Sequence, residues 1–370
     1  MNRRILFVGG HTGGHLFPAE AIARALIDLG GGTPVYLDHG RPLEAKVFND
    51  SGMEKVPAPW AGRGRLRGAL SIPAAISLLR EQQISAVVGM GAFPIVAPGL
   101  AAARLRIPLF LHEQNRVMGR ANRWLTPFAA KVFLSFPLTK ASRRLRSKMA
   151  ILGCPVREEF QPHEPAQGPQ RWLILGGSQG AEEVNRRMLD AASQISQSVK
   201  GRLEIIHQVG EREVDELQDS WSQLGFRVKV LTFIDEIAEK IAESHLVVSR
   251  SGGSTIAELM AVGRPGLLFP YPGHKDDHQL ENARYFSGGG AGIVVNPQET
   301  AQELGQKLEE LIESPTRLAE MAQRAQQLGR PRAARSIAEM LLIHLEARQP
   351  GRFSEAVTRG EAIHHRVEAS

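Results

Sequence analysis

The sequence predicts an α/β protein in which two doubly wound parallel-sheet domains face a central cleft. In residues 4–29, a short apolar strand, a glycine-rich turn and a helical pattern follow one another, an order typical of doubly wound folds. The same order restarts at Arg171, where Arg171-Trp-Leu-Ile-Leu-Gly-Gly-Ser-Gln-Gly180 resembles Arg4-Ile-Leu-Phe-Val-Gly-Gly-His-Thr-Gly13. This repeat indicates that the two halves of the chain have similar architecture.

In the first half, short apolar strands alternate with helical patterns. The helix after the first glycine-rich turn has an apolar face that includes Ile22, Leu26 and Leu29. The uncharged stretch 84–103 has the length of a membrane span, but its prolines and glycines would break a spanning helix, so we predict a strand, a turn and a short helix. The further predicted strands are 34–37, 54–58, 86–89, 108–112, 131–135 and 149–152.

A polar, proline-containing segment at 161–170 follows the connection Gly153–Arg157 and indicates a linker. We therefore predict an N-terminal domain over 1–157 and a C-terminal domain over 158–331. A helix at about 332–348 is expected to pack back on the first domain, and 349–370 is expected to be a mobile tail. The predicted strands of the second half are 203–207, 228–232, 246–248, 266–269 and 292–295, with late helices near Thr300 and Pro315.

Composition restricts the class of protein. The chain has 370 residues, 42% of them hydrophobic, and a single cysteine, Cys154, which excludes an intramolecular disulfide. The net charge of +6 calls for an anionic partner. Basic residues are not interleaved with aromatic ones, so nucleic acid is not expected, and an anionic membrane surface is the better candidate.

The stretch 249–282 carries the strongest signal for a ligand site. Ser251-Gly-Gly-Ser254 lies between an apolar strand and a helix for which Ser254 is the predicted N-cap. Free N–H groups at such a helix start suit a phosphate, and Glu258, one turn further, suits a ribose diol. A second helix opens at Asp277, so two helix N-termini in one crevice would hold a nucleotide diphosphate without a metal. An ordinary βαβ unit is the alternative.

Two further groups of residues have two interpretations each. His15, at the start of the first helix, is either a hydrogen-bonded cap or a general base. A basic and apolar segment is either a membrane contact or a solvated helix face, with the run Arg143–Lys148 as a second contact. The residues of that segment are Arg63, Arg65, Leu66, Arg67, Leu70 and Ile72.

Several motifs together resemble a family of bacterial transferases that complete lipid II. They are Thr12-Gly-Gly-His-Leu-Phe-Pro18, His112-Glu-Gln-Asn115, Gly153-Cys-Pro-Val-Arg157, Gly176-Gly-Ser-Gln-Gly180, Phe233-Ile234-Asp235, Arg250-Ser-Gly252 and His274-Lys-Asp276 with Gln279 and Asn282. The resemblance extends to about Arg348 and implies the GT-B fold, with two Rossmann-like domains.

The resemblance also implies a reaction and its partners. The donor would be UDP-N-acetylglucosamine, and the acceptor would be lipid I, undecaprenyl-diphospho-N-acetylmuramoyl-pentapeptide. The enzyme would act in peptidoglycan synthesis as a peripheral protein on the cytoplasmic face of the cell membrane, with no cofactor, and other cell-wall or division proteins are further candidate partners.

Site residues carry over by their motifs. The resemblance implies that Ile234 meets uracil through its backbone, Glu258 binds the ribose and Gln279 orients the sugar. The diphosphate would be held by Ser178 and the helix start. Thr12, Gly13, Gly14 and Asn115 would reach across from the first domain, and His15 would lie nearest the acceptor hydroxyl. The catalytic set would be His15, Asn115 and Glu258. The substrate-binding residues are Thr12, Gly13, Gly14, Asn115, Arg157, Ser178, Ile234, Gly253, Ser254, Thr255, Ile256, Ala257, Glu258 and Gln279.

The sequence departs from the family pattern in two loops. His11 stands where the family usually has glycine, and Ala92-Phe93-Pro94-Ile95 replaces the usual Gly-aromatic-Val-Ser. The second loop is associated with the acceptor in the family, so we expect acceptor contacts to differ more than donor contacts.

The expected mechanism is a single displacement that inverts the anomeric configuration. His15 would remove the proton of the C4 hydroxyl, while helix N-termini and Arg157 stabilise the departing UDP. The adjacent acids Asp276-Asp277 do not form a D-x-D site, so no metal is expected to be required. The alternatives are a UDP-N-acetylglucosamine 2-epimerase, a nicotinamide oxidoreductase and a non-enzymatic nucleotide-sensing or membrane-scaffold protein.

Overall fold

The computed structural model describes residues 3–60, 71–140, 143–176, 182–210, 214–273 and 276–348. The predicted membrane-contact residues Arg63, Arg65, Leu66, Arg67 and Leu70, the diphosphate residue Ser178 and the tail 349–370 lie outside these ranges.

The first half forms a sheet of parallel strands in the order β3-β2-β1-β4-β5-β6-β7. Its strands are β1 (Arg4–Val8), β2 (Thr33–Asp38), β3 (Glu54–Pro57), β4 (Ile84–Gly89), β5 (Leu109–Glu113), β6 (Lys131–Leu134) and β7 (Met149–Ile151). Its helices are α1 (Gly13–Asp28), α2 (Pro42–Phe48), α3 (Ile72–Glu81), α4 (Val96–Leu105) and α5 (Arg120–Leu125). Short 3₁₀ turns occupy Phe93–Ile95, Thr126–Phe128 and Arg143–Lys148.

The second half forms another parallel sheet in the order β10-β9-β8-β11-β12-β13. Its strands are β8 (Gln170–Leu175), β9 (Leu203–Gln208), β10 (Arg227–Leu231), β11 (Leu246–Ser249), β12 (Gly266–Leu268) and β13 (Gly292–Val294). The helices are α6 (Glu182–Ser193), α7 (Gln197–Lys200), α8 (Val214–Gln223), α9 (Ile237–Glu243), α10 (Gly253–Val262), α11 (His278–Gly288), α12 (Ala301–Glu313), α13 (Pro315–Leu328) and α14 (Ala333–Ala347).

Strand order positions the site. In both sheets the chain starts at a central strand, builds one flank and then crosses to the other, so the order reverses beside β1 and beside β8. A crevice opens at the carboxyl ends of the strands at such a reversal, which is where doubly wound folds bind ligands. The predicted pair of doubly wound parallel-sheet domains is therefore confirmed.

The central strands form because they are apolar and buried on both faces, as in β1, where Ile5, Leu6, Phe7 and Val8 are fully buried. The stretch 84–103 folds as β4, a 3₁₀ turn and most of α4, as predicted. Among the helices of the described ranges, none combines the length and the apolar character that crossing a bilayer requires.

Helix α14 lies against the first sheet although it ends the described chain. Its buried residues Ile337, Leu341 and Leu345 belong to the same apolar cluster as Ile5 and Leu26. The chain therefore crosses between the two halves twice, once near 153–157 and once before α14. The boundaries of the domains remain a prediction.

Candidate active site

The site is built on the N-termini of α1 and α10, which face each other across the cleft. A Cβ atom added to Gly14 at the start of α1 would lie 3.6 Å from Oγ of Ser254 in α10. A Cβ atom added to Gly253 would overlap the carbonyl oxygen of Gln114, so only glycine fits there. The two halves thus approach to van der Waals distance where unpaired N–H groups of α1 and α10 point into the cleft.

The predicted N-cap of α10 was wrong by two residues. Gly252, with an extended backbone (φ −62°, ψ 148°), occupies the N-cap position, and the helix begins at Gly253. Ser254 therefore lies inside the first turn, where it and Thr255 are half-buried. Their backbone N–H groups remain part of the helix start, which is the feature that suits a phosphate.

A cavity of about 1080 Å³ opens between the two halves. Residues of both contribute to its lining, among them Gly13, Phe17, Lys46, Arg157, Phe233 and Asp235. Of the predicted substrate-binding residues, Gly13 and Arg157 line this cavity, whereas Ser254, Glu258 and Gln279 are not among its lining residues.

Arg157 lies on the wall of this cavity. Its guanidinium lies over the rings of Phe17 at 4.5 Å and Phe160 at 5.0 Å, and it pairs with Glu159 at 2.8 Å. Stacking and pairing fix the guanidinium in place, so its positive charge is available near the cleft without reorganisation.

Glu258 lies in α10, one turn after the helix start. Burial raises the pKa of its carboxyl to about 7, with the nearby Arg157 opposing the rise and Glu159 adding to it. At neutral pH both protonation states are therefore populated. A carboxyl in this state can accept hydrogen bonds from a diol, and its acceptor strength increases with pH.

His15 lies in the first turn of α1. Its Nδ1 is 3.0 Å from Oγ1 of Thr12, the N-cap residue. Burial, followed by the nearby His11 and His278, lowers the pKa of His15 to about 4. The ring is therefore neutral at physiological pH, and when Nδ1–H donates to Thr12, Nε2 is an acceptor. An unperturbed pKa near working pH was assumed for His15 from the sequence. In the structure, burial lowers the pKa of His15, so that assumption was wrong.

Asn115 lies in a loop that buried polar groups hold rigid. The carboxylate of Glu113 accepts the backbone N–H groups of Asn115 at 3.2 Å and Gly119 at 2.9 Å, and Nδ2 of Asn122 at 2.9 Å. Nε2 of Gln114 donates to the carbonyl oxygen of Met90 at 2.7 Å. The loop after β5 is thereby tied to the end of β4.

Asn282 joins this loop to the second half, and sequence reasoning assigned it no role. Its Nδ2 donates to Oδ1 of Asn115 at 2.9 Å and to the carbonyl oxygen of Ser251 at 3.1 Å. Its Oδ1 accepts the backbone N–H of Arg116 at 3.0 Å. Asn282 follows Gln279 by three residues on α11, and that spacing was the one available signal.

Gln279 is fixed at the start of α11. Its Oε1 accepts the backbone N–H of Tyr271 at 2.9 Å, and its carbonyl oxygen accepts from Oγ of Ser251 at 2.8 Å. Ile234, Ile256 and Ala257 have buried side chains, so they can meet a ligand only through their backbones.

Both departures from the family pattern have structural correlates. Ala92 adopts φ 60° and ψ 177°, a conformation that strongly favours glycine. His11 is exposed, with Nδ1 3.0 Å from Oε1 of Glu44 in α2.

Of the predicted membrane contacts, Ile72 is described, and it packs against the apolar cluster of the first sheet.

Comparisons with known proteins agree on the family. The model of the glycosyltransferase family 28 N-terminal domain matches residues 5–134, and that of the family 28 C-terminal domain matches residues 172–337. The solved structure of MurG from Acinetobacter baumannii is similar with a TM-score of 0.79 and 28% identity, covering 91% of this chain and 98% of that one. These matches confirm the expected GT-B architecture.

The UDP-GlcNAc 2-epimerase from Neisseria meningitidis bound to UDP-GlcNAc has a TM-score of 0.67 but only 15% identity, covering 92% of this chain and all of that one, so its likeness is one of fold alone. Curated relatives named UDP-N-acetylglucosamine–N-acetylmuramyl-(pentapeptide) pyrophosphoryl-undecaprenol N-acetylglucosamine transferase are much more similar. That of Chelativorans sp. is 33% identical, covering 98% of this chain and 97% of its own length. That of Rhodopseudomonas palustris is 35% identical, covering 91% and 97%. The chain therefore belongs to glycosyltransferase family 28 and, within it, to the family of these N-acetylglucosamine transferases.

Proposed function

We propose that this glycosyltransferase moves N-acetylglucosamine from UDP-N-acetylglucosamine to the C4 hydroxyl of lipid I, which gives lipid II. The observation that carries the proposal is the close approach of the N-termini of α1, which contains His15, and α10, which contains Glu258. Relatives that cover 98% and 91% of the chain are named for this transfer.

The donor is proposed to lie mainly against the second half of the chain, residues 158–331. The N-terminus of α10 would bind the diphosphate through N–H groups of Gly253, Ser254 and Thr255, with Ser178 as a further contact. Glu258 would accept hydrogen bonds from the ribose hydroxyls. Backbone atoms of Ile234 would meet uracil, and the amide nitrogen of Gln279 would donate to the sugar, since its oxygen already accepts from Tyr271.

The first half, residues 1–157 with the helix at about 332–348, would hold the acceptor. Nε2 of His15 accepts the proton of the C4 hydroxyl as that oxygen attacks the anomeric carbon from the face opposite UDP, and the displacement inverts configuration. Arg157 and the helix N-termini stabilise the negative charge that develops on UDP. The low pKa of His15 keeps the acceptor nitrogen unprotonated at working pH.

The protein is proposed to act on its lipid acceptor as a peripheral protein at the cytoplasmic face of the membrane. Trp124 and Phe128 are 62% and 54% exposed, which is high for large apolar side chains. Nζ of Lys148 donates to the carbonyl oxygens of Pro127 and Ala129 at 2.7 and 2.9 Å, which places this basic residue beside Phe128. Apolar side chains next to basic ones suit an anionic lipid surface. Other cell-wall or division proteins are proposed as further partners.

The decisive experiment is incubation with UDP-N-acetylglucosamine and a short-chain lipid I analogue, with products identified by mass and the new linkage by NMR. We expect a disaccharide product with a β-linkage that forms only when both substrates are present. Conversion of the donor to its 2-epimer without any acceptor would instead support the epimerase alternative. Donor binding with no turnover would support a sensing role.

A further inference from the structure

Three side chains of metal-ligand type meet at the carboxyl edge of the first sheet, next to the site but outside its proposed chemistry. His11 follows β1, His39 follows β2, and Glu44 lies in α2. Because β1 and β2 are neighbouring parallel strands, the residues that follow them are brought to one edge. Within the described ranges, these three residues are the group with the composition and spacing to hold a metal ion.

The potential ligand atoms are close together. Nδ1 of His11 lies 3.0 Å from Oε1 of Glu44, and Nδ1 of His39 lies 3.7 Å from the same oxygen. One ligand atom from each residue can be chosen so that all lie within 4.8 Å of one another. The rings of His11 and His39 meet edge to face, with centroids 5.1 Å apart. Ligand atoms about 2.0–2.2 Å from a tetrahedral ion lie about 3.3–3.6 Å from one another, which is close to the two distances to Oε1 of Glu44.

His39 provides an independent indication of a missing ligand. Its side chain is only 9% exposed, and among the described residues neither of its ring nitrogens has a hydrogen-bond partner. The hydroxyl of Tyr36 lies beside the same carboxylate, and burial followed by Glu44 raises its pKa. Unsatisfied buried polar groups are costly and uncommon, so the unpartnered imidazole of His39 indicates that a binding species completes the site.

Glu44 is oriented for coordination. Its Oε2 accepts the backbone N–H groups of His39 at 2.9 Å and Arg41 at 3.2 Å, and its side chain is almost fully buried. These bonds leave Oε1 directed towards both imidazoles. In known metal sites, the carboxylate ligands are likewise oriented by hydrogen bonds from groups that do not contact the metal.

We propose that His11, His39 and Glu44 form a binding site for a transition-metal dication such as Zn²⁺. Two imidazoles and one carboxylate suit such an ion, with a fourth position for water. The ion would link the first glycine-rich loop, which continues into Thr12 and Gly13, to α2. Because Nζ of Lys46 in α2 lies 4.3 Å from the ring centroid of Phe233 in the other half, a fixed α2 also supports the cleft.

The test uses Co²⁺ as a spectroscopic probe and Zn²⁺ in competition. All proteins carry H364A and H365A, so that this adjacent histidine pair cannot contribute. We expect one equivalent of Co²⁺ to give visible absorption bands typical of tetrahedral coordination, and Zn²⁺ to displace it. His39→Gln and His11→Gly should each weaken Co²⁺ affinity by at least about 10-fold, since even the loss of an outer partner has such an effect.

His163→Gln is the matched control, because it removes an exposed histidine outside the cluster and should leave Co²⁺ binding unchanged. Circular dichroism of each variant checks that the fold is kept. Because His11 is exposed, His11→Gly removes a ligand without disturbing the core, so it tests metal binding even if His39→Gln fails to fold. The proposal is overturned if the parent protein gives no such bands, which is the result expected of a cluster held only by hydrogen bonds. It is also overturned if His39→Gln binds Co²⁺ as tightly as the parent does.

Discussion

Nδ2 of Asn282 in the second half of the chain donates a hydrogen bond of 2.9 Å to Oδ1 of Asn115 in the first half. Asn282 is fully buried, and it also bonds the backbone of Ser251 and Arg116. One amide therefore joins the loop after β5, the strand end before α10 and the start of α11. These are the segments whose residues line the proposed donor and acceptor sites.

Replacing Asn282 with Ala should reduce kcat/KM by roughly 10- to 100-fold, because it leaves buried partners unsatisfied at about 1–3 kcal/mol for each group. Steady-state kinetics with both substrates measures the effect. Asn282→Asp keeps the acceptor for Arg116 but turns a buried carboxylate oxygen towards Oδ1 of Asn115 and the carbonyl oxygen of Ser251, so it should impair the enzyme at least as much as Asn282→Ala does. Equal kinetics for all three proteins would show that the link has no functional role.

Glu258→Ala should raise the donor KM strongly and leave the fold intact. Loss of a charge-assisted pair of hydrogen bonds to the ribose should cost on the order of 2–3 kcal/mol. Kinetics at saturating acceptor, with circular dichroism as the control for folding, tests this expectation. An unchanged KM for UDP-N-acetylglucosamine would remove Glu258 from the ribose site.

The raised pKa of Glu258, about 7, adds a dependence on pH. Because the ionised carboxylate is the better acceptor, the donor KM should fall as the pH rises from about one unit below that pKa to about one unit above it. The folded chain holds this proton to higher pH than the unfolded chain does, so the stability contributed by Glu258 should decrease as pH rises towards 7. Glu258→Gln should show neither trend.

His15→Ala should lower kcat by roughly 10²–10⁴-fold with little change in donor affinity, the range for a lost general base. Since the pKa of His15 is about 4, its protonation should not alter kcat near neutral pH, and kcat should fall only as the pH approaches that value. His15→Gln, which keeps a polar group at the same place, separates capping from catalysis. Turnover within about tenfold of the parent in either variant would assign His15 a capping or binding role.

Ala92→Gly should stabilise the protein. Ala92 has φ 60° and ψ 177°, a conformation that costs non-glycine residues about 1–3 kcal/mol, and glycine adopts it without that strain. Greater freedom of glycine in the unfolded chain offsets part of the gain, so we expect an increase of about 1 kcal/mol in the free energy of unfolding. Denaturant titration measures it, and Ala97→Gly in the buried part of α4 should destabilise as the matched control. A loss of stability in Ala92→Gly would show that the loop is not strained.

The membrane prediction concerns residues outside the described ranges. Replacing Arg63, Arg65 and Arg67 together with Ser should weaken binding to anionic vesicles, since each basic residue is worth about 1 kcal/mol at such a surface. Activity on a long-chain acceptor should fall while activity on a soluble short-chain acceptor is spared. Replacing the exposed Arg186, Arg227 and Arg317 makes the same change in charge and should have little effect. If both triple variants lost vesicle binding equally, the net charge of the protein, and not this segment, would account for membrane binding.

The sequence predicted the local units well because each has a local cause. Apolar strands, glycine turns and capping residues act over a few positions, and Thr300 with Glu303 forms the capping box that begins α12. The link between Asn115 and Asn282 was not predictable in this way, because it joins residues 167 positions apart. The shifted pKa of His15 likewise depends on burial by segments distant in sequence. The local sequence pattern therefore identified the helices and loops that form the site, but not the contacts between them.

The return of α14 to the first sheet affects the order in which the protein can fold during synthesis. Ile5 and Leu26 leave the ribosome early, whereas Ile337, Leu341 and Leu345, which share their apolar cluster, are made only after the whole second sheet. An apolar face on the nascent first domain therefore stays uncovered until translation of α14 is complete. Nascent chains with exposed apolar surface are the species that chaperones bind and that aggregate. A stop codon before α14 would leave that face permanently open.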